Sequence, residues 1–499
     1  MTAQAIDAAP AERCTLPLWV GLIVYAVLLS TGNRLLIDPD TFWQVAVGQW
    51  MVDHRTVPLT DVYSFTMQGQ PWMSTQWLAQ VIFSQVYGWF GWAGLVALTA
   101  LAIAVTYTLL TRFLVRYFGD TPVMILLPVS FLIGLPHFYA RPHALALPVM
   151  VAWVAALLSA AERRQAPPFV LVLLMTLWAN LHGGFVLGLM LIGPIALDAV
   201  LNAEAPARLR LRLLLRWFVF GLVALAASCL TPYGWNSLLA ARAILNLGEA
   251  LTLIREWAPA DFSFLGPLEA GTLLIIVLAF LKGVKLPLMR TVLFVGLLYM
   301  ALAHIRNADV FALLGPMVVA APLAAQFGGR NGEAGLTFPQ PQGIAAALTV
   351  VLMAGMTVAA LAMGQYRPAE NMSPAAAVLA LKQHQAKRVF NDYDFGGYLI
   401  SQGVAPYIDG RTELYGEKFV VEHSAARGLR NPASFFDLLE RYKIDATLLR
   451  KKTPGAQLLD QIDGWRKVFA DDDVVVHVRD ANARHTAQPN VKPPEGAAR

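Results

Sequence analysis

The chain has 499 residues, 57% of them hydrophobic and only 14% charged, with a formal net charge of +5. Soluble domains carry about 25% charged residues, so lipid is the solvent this composition calls for. The modest charge says nothing about nucleic acid, but with no arginine stripe and no aromatic ribonucleoprotein pattern that class of partner is set aside, and two distant cysteines, Cys14 and Cys229, make neither a disulfide framework nor a zinc site.

Apolar stretches long enough to span a bilayer, about 20 residues each, recur along the first part of the chain. They fall at 16–36, 91–111, 122–137, 143–161, 168–182, 184–202, 214–231, 266–281, 288–304, 309–326 and 343–363. The first reads as an uncleaved span, because it lacks a small-x-small cleavage site. Basic residues favour cytoplasmic loops. With the N-terminus inside, thirteen of the nineteen Lys/Arg before residue 364 lie on the inner side, among them Arg112, Arg163, Arg208, Arg212, Lys282 and Arg330. An odd number of spans then places the C-terminal region outside. The outer side collects most of the chemically versatile residues, which suggests a polar cavity there. Among them are His137, Arg141, His143, Asn180, His182, Tyr233, Glu256, Arg306 and Asp309.

The first outer loop opens on Asp38-Pro39-Asp40. Two carboxylates at this spacing suit a general base or a divalent-cation site, with the proline keeping the stretch extended; Asp40 equally suits the N-cap of the next helix. Thr41 to His54 and Gln76 to Phe90 read as two Trp-rich amphipathic helices lying in the membrane interface, or as a plain aromatic belt. Further on, Asn180-Leu181-His182-Gly183-Gly184 pairs glycines that suit a close approach of substrate or of a neighbouring helix. No phosphate loop, nucleotide fingerprint or serine-hydrolase elbow is present, which sets aside a nucleotide-fuelled pump.

From residue 364 the charge density becomes that of a soluble domain, 36 of the 71 charges in the last 136 residues. A linker over 364–372 precedes alternating helices and strands. Helices are expected at 373–385, 433–442 and 456–462, and strands at 388–390, 405–408, 446–449 and 474–478, a small α/β domain. A polar, Pro-rich tail over 481–499 reads as disordered. Asp392, Asp394, Asp409, Arg411 and Glu413 gather near strand ends; Asp409-Gly410-Arg411 either touches an acceptor and seals a cavity, or forms a structural turn with an internal ion pair.

The whole pattern resembles the GT-C superfamily of membrane glycosyltransferases. The motifs that carry the resemblance are D-P-D-T-F-W-Q-V-A-V-G-Q-W-M from Asp38, D-V-Y-S-F-T from Asp61, G-Q-P-W from Gly69, W-A-N-L-H-G-G-F from Trp178, T-P-Y-G from Thr231 and R-E-W from Arg255. In the tail they are F-N-D-Y-D-F-G-G-Y-L from Phe390 and I-D-G-R from Ile408. The resemblance implies an α-helical polytopic membrane protein of about eleven spans over 1–363, with a small extracytoplasmic α/β domain over 364–480. It implies Asp40 as general base, with Asp38 as its partner, and both as ligands if the enzyme uses a divalent cation (Mg or Mn). The implied donor is a sugar on a polyprenyl phosphate or pyrophosphate, and the acceptor an extracytoplasmic glycan, lipid or protein. The donor phosphate needs cations at the outer interface, a role that suits Arg141, His137, His143, His182 and Arg306. Asn180, Tyr233, Glu256, Asp409 and Arg411 would line the cavity or meet the acceptor. The alternative is a transporter or flippase of lipid-linked sugars, in a bacterial inner membrane either way.

Overall fold

The computed structural model describes residues 15–245, 247–329 and 343–480. Cys14 and the tail after Asp480 lie outside the described residues. Each of the eleven apolar windows holds a helix. The first, α1 (Leu16–Ser30), stops short of the expected end and passes through a 3-10 turn, Gly32–Leu36, into α2 (Asp40–His54). Next comes α3 (Trp77–Leu114), which unites the expected interfacial helix and the second span. It bends at Gly91, with φ 58 and ψ −149, a backbone region that residues with a Cβ avoid. The bend falls where exposed aromatic residues, Trp89 and Phe90, give way to buried Leu95 and Val96.

The remaining apolar helices are α4 (Asp120–Gly134), α5 (Pro142–Glu162), α6 (Val172–Leu181), α7 (Phe185–Leu201) and α8 (Ala207–Ser228). After α9 (Asn236–Leu245), which lies between spans, come α10 (Pro267–Lys282), α11 (Leu288–Ala303), α12 (Ala308–Phe327) and α13 (Gly343–Met363). Among the described residues, six helical segments are long and apolar enough to cross a membrane. The apolar helices together carry buried interfaces of Leu, Ala, Trp153, Trp178 and Phe220 around α3 and α5, and show apolar faces such as Ile276, Phe280, Val292 and Val351 outward. That inversion of an ordinary surface is what lipid requires.

The helices alternate in direction, so their connections sort onto two faces. One face holds the loops with Asp38, Arg141, Glu256 and Arg306, and the C-terminal domain. The opposite face holds a buried ionic network at the other helix ends. Arg290 pairs with Asp198 at 2.7 Å and lies 3.7 Å from Glu162. Arg116 donates to Ser159 Oγ at 2.7 Å and lies 3.8 Å from Glu162, which also accepts from the Tyr117 hydroxyl.

The C-terminal domain is built from α14 (Ala375–Gln383), β1 (Val389–Asn391), α15 (Gly396–Ser401), α16 (Thr412–Arg427), α17 (Pro432–Arg441), β2 (Ala446–Arg450), α18 (Pro454–Leu459), β3 (Trp465–Ala470) and β4 (Val474–Arg479). The sheet order is β1-β2-β4-β3, with β1 parallel to β2 and the other pairs antiparallel. The strand expected over 405–408 does not form; only one bridge, Val389 to Pro406, is present. Pro406 has no N–H to give a ladder, and the N–H groups of Tyr407 and Ile408 donate instead to the Asn391 side chain at 2.8 and 3.4 Å. Helix α2 lies between α3 and α15, burying Phe42, Trp43, Val47 and Met51. The membrane part and the domain are therefore joined through the first loop.

Candidate functional site

Proline decides the local geometry twice. Pro39 takes φ −66 and ψ −23, so the Asp-Pro-Asp stretch is not extended: the proline's fixed φ suits a helix start, and Asp40 becomes the first residue of α2. Its N–H donates to Asp38 Oδ1 at 2.7 Å, so Asp38, and not Asp40, takes the capping role. Pro142 opens α5 and holds the preceding Arg141 extended, φ −119 and ψ 155. The loop that carries Arg141 is tied to the first loop on both sides. Ala140 N–H donates to Leu35 O at 2.7 Å, and Thr41 Oγ1 donates to Ala140 O at 3.0 Å.

These ties deliver the Arg141 guanidinium into a ring of carboxylates. Its Nε meets Asp38 Oδ2, its Nη2 donates to Asp40 Oδ2 at 2.7 Å, and its Nη1 reaches Glu256 Oε1 at 2.5 Å. Glu256 comes from the 3-10 turn Arg255–Trp257, held in place by neighbours before α12. Ile305 N–H donates to Ala258 O at 3.0 Å, His304 Nδ1 lies 2.8 Å from Trp257 O, and Arg306 stacks 4.3 Å over the Trp257 ring. The Asp38 side chain is nearly closed off at 2% exposure, whereas Asp40 keeps 20% and Glu256 29%. Burial pushes the Asp38 carboxyl up to about 7; Arg141 opposes that shift, while Asp40 and Glu256 add to it. Burial also raises Asp40, with Arg141 opposing. For Glu256 burial acts upward but is outweighed by Arg141 and Arg306, which hold it below the ordinary range.

Beside this ring stands a second group. His143 Nε2 lies 2.7 Å from Asp309 Oδ2, and its ring is 5.9 Å from that of His182. His182 Nδ1 accepts the Gly184 N–H at 3.1 Å, and burial first, then the electrostatic influence of its neighbours, Arg306 among them, pushes its pKa down to about 3. His182 is thus a neutral ring at working pH. His137, half-buried after α4, is within electrostatic reach of Asp309 and His143.

Other expected site residues have closed hydrogen bonds. Asn180 accepts from Trp77 Nε1 at 2.7 Å and donates to Thr176 O and Leu230 O. The Tyr233 hydroxyl donates to Pro58 O at 2.9 Å and accepts from Ser74 N–H at 3.1 Å. Both fasten the first loop to its neighbours. Arg411 is fully buried and donates from Nε and Nη2 to Asp409 at 2.8 and 2.7 Å, and from Nη1 to Asp61 at 2.6 Å. Tyr415 donates to the same Asp409 carboxylate at 2.7 Å. Asp409 and Arg411 therefore form the internal ion pair and lie closed off from any acceptor. The residue between them is nevertheless at the site: a Cβ on Gly410 would come 1.9 Å from Asp40 Oδ1 and 3.0 Å from Trp43 Nε1.

Sequence reasoning noticed Asp309 only as one more polar residue on its side, and missed Trp43 and Gly410 as site neighbours. The glycine between Asp409 and Arg411 was the available signal for the last. For a divalent cation the donor set is unsuitable as it stands. Among the described residues no three His, Cys, Asp or Glu groups are placed to hold a metal ion, because the three carboxylates converge on Arg141 and not on one another.

No protein-family profile and no curated protein sequence matches the chain. Its fold does match solved structures. The archaeal oligosaccharyltransferase AglB from Archaeoglobus fulgidus, in complex with an inhibitory peptide and a dolichol-phosphate, superposes with a TM-score of 0.52 at 11% identity, covering 87% of this chain and 69% of that one. The apo form of the Archaeoglobus fulgidus oligosaccharyltransferase gives 0.50 at 11% identity over the same shares. At this identity the likeness shows the fold alone, one shared with these oligosaccharyltransferase structures.

Proposed function

We propose that the chain is a GT-C glycosyltransferase that takes its sugar from a polyprenyl-phosphate-linked donor, with Asp40 as general base. The observation that carries this reading is the placement of Asp40 in that fold: a first-loop carboxylate, partly open, raised in pKa and fixed by Arg141. The neighbour with a dolichol-phosphate and an inhibitory peptide bound supports a lipid-linked donor and a peptide kind of acceptor. The face of Asp40, with the domain over 364–480, would be periplasmic, in a bacterial inner membrane with the N-terminus cytoplasmic.

In the reaction, an acceptor O–H or N–H attacks the sugar carbon, its proton passes to Asp40, and the sugar–oxygen bond to the lipid phosphate breaks. A base with a pKa raised toward working pH accepts that proton more readily. The phosphate leaves with the bonding pair and gains charge, which nearby cations stabilise. Arg141 is committed to three carboxylates, so the cationic task falls to Arg306, with His143, which Asp309 orients, beside it.

The test gives purified protein in detergent a panel of radiolabelled polyprenyl-phosphate sugars and membrane extract as acceptor. Wild type should move label into product, while Asp40→Asn should bind donor equally and turn over ~10²–10⁴-fold more slowly. Equal donor binding by both with no transfer to any acceptor fraction would replace the enzyme with a transporter of lipid-linked sugars.

A further inference from the structure

We infer that Arg141 is the resident cation of the first-loop carboxylate site, occupying the place a divalent metal would need, so that the native chain binds no divalent cation there. A hard divalent cation requires several carboxylate oxygens converging within about 2.0–2.6 Å of one point. Asp38, Asp40 and Glu256 do converge, but the body at their centre is the guanidinium, each of its three nitrogens facing a different carboxylate. A guanidinium is planar, permanently charged and able to donate in several fixed directions, which suits three acceptors arranged around it.

The side chain is also not free to withdraw. The backbone beside it is held by Pro142 and by the two hydrogen bonds of Ala140, and the guanidinium closes contacts from two different loops at once. Removing it would leave three hard oxygen donors without the guanidinium at their centre, in a partly buried pocket. Such a set is what a divalent cation prefers, and its affinity rises with the number of charged ligands. Arg141 therefore acts as a positioning residue. It fixes Asp40 and brings Glu256 to the first loop, the work that a metal ion would otherwise do.

The experiment measures Mn²⁺ binding by electron paramagnetic resonance on the full-length protein in detergent. It compares wild type, Asp38→Asn, Arg141→Ala, Arg141→Lys and the double variant Arg141→Ala/Asp38→Asn. Wild type should hold no stoichiometric Mn²⁺ below about 1 mM, and Arg141→Ala should gain one ion per chain at least about tenfold more tightly. Arg141→Lys should remain without metal because a cation is restored, and the double variant should lose the gained site. Thermal unfolding should show Mn²⁺ raising the midpoint of Arg141→Ala alone. The inference is overturned if wild type takes one Mn²⁺ that Asp38→Asn abolishes, or if folded Arg141→Ala gains none. Should Arg141→Ala fail to fold, wild type against Asp38→Asn still decides. Binding needs no turnover, so this result stands or falls apart from the transferase reading.

Discussion

Asp38 and Asp40 stand two positions apart and share Arg141, yet the fold makes them different acids. Asp38 is closed off and spends both oxygens internally, on the Asp40 N–H and on Arg141. Asp40 is left with an oxygen beside Gly410 and Trp43. The Asp38 carboxyl, raised from 3.8 to about 7, has a measurable consequence for stability. Between those values the folded chain holds a proton that the unfolded chain has released, so stability falls as pH rises through that window. Asp38→Asn should remove that slope, leaving a thermal midpoint that changes less than that of wild type between about pH 4 and 7. Parallel curves for the two proteins would show that the carboxyl is ionised throughout. Asp38, Asp40 and Arg141 were legible in the sequence because charges at the ends of apolar runs are conspicuous. Their arrangement was not, since the ring is closed by Glu256 and the neighbouring histidine by Asp309, partners more than a hundred residues away along the chain.

At the scale of elements, apolar helices read well and the soluble domain less so, for physical reasons. The eleven windows needed only length and hydropathy. Strand β3, Trp465–Ala470, was missed because it is a half-exposed edge that interleaves Arg466 and Lys467 with apolar residues. Helix α16 was missed because its first turn is broken by Gly416 at φ 73 and its faces are mixed. What joins the domain to the membrane part is a contact between elements that no local pattern encodes, Asp61 of the first loop with Arg411 and Asp409 before α16. Arg411 also sits 4.7 Å over the Trp72 ring, and Trp72 Nε1 donates to Glu413 at 3.0 Å. Removing one partner from a buried pair leaves the others as uncompensated charge, at a cost of roughly 3–5 kcal/mol. Arg411→Met should therefore lower the unfolding midpoint sharply and expose the segment over 364–372 to protease, as the domain loosens from the first loop. A variant as stable and protease-resistant as wild type would mean the domain is held mainly by its apolar contacts with α2.

For the whole molecule, charge is layered at both ends of the helical part, and the two layers differ in kind. The opposite face keeps Arg116 and Arg290 inside a buried network with Glu162 and Asp198, so these two arginines serve helix packing. The residues that remain exposed there, Arg208, Arg212, Arg216, Lys282 and Lys285, still outnumber the exposed basic residues expected near the other face, which is the asymmetry that orients a chain in the membrane. The orientation proposed above, with the carboxylate ring and the C-terminal domain away from the cytoplasm, follows from that asymmetry and is open to direct test. In a chain freed of thiols by Cys14→Ser and Cys229→Ser, Gln402→Cys on the exposed end of α15 should react with an impermeant maleimide in intact spheroplasts. Arg208→Cys at the start of α8 should react only after lysis. The reverse pattern would place Asp40 on the side where water-soluble nucleotide sugars are available, and the case for a lipid-linked donor would fall with the orientation.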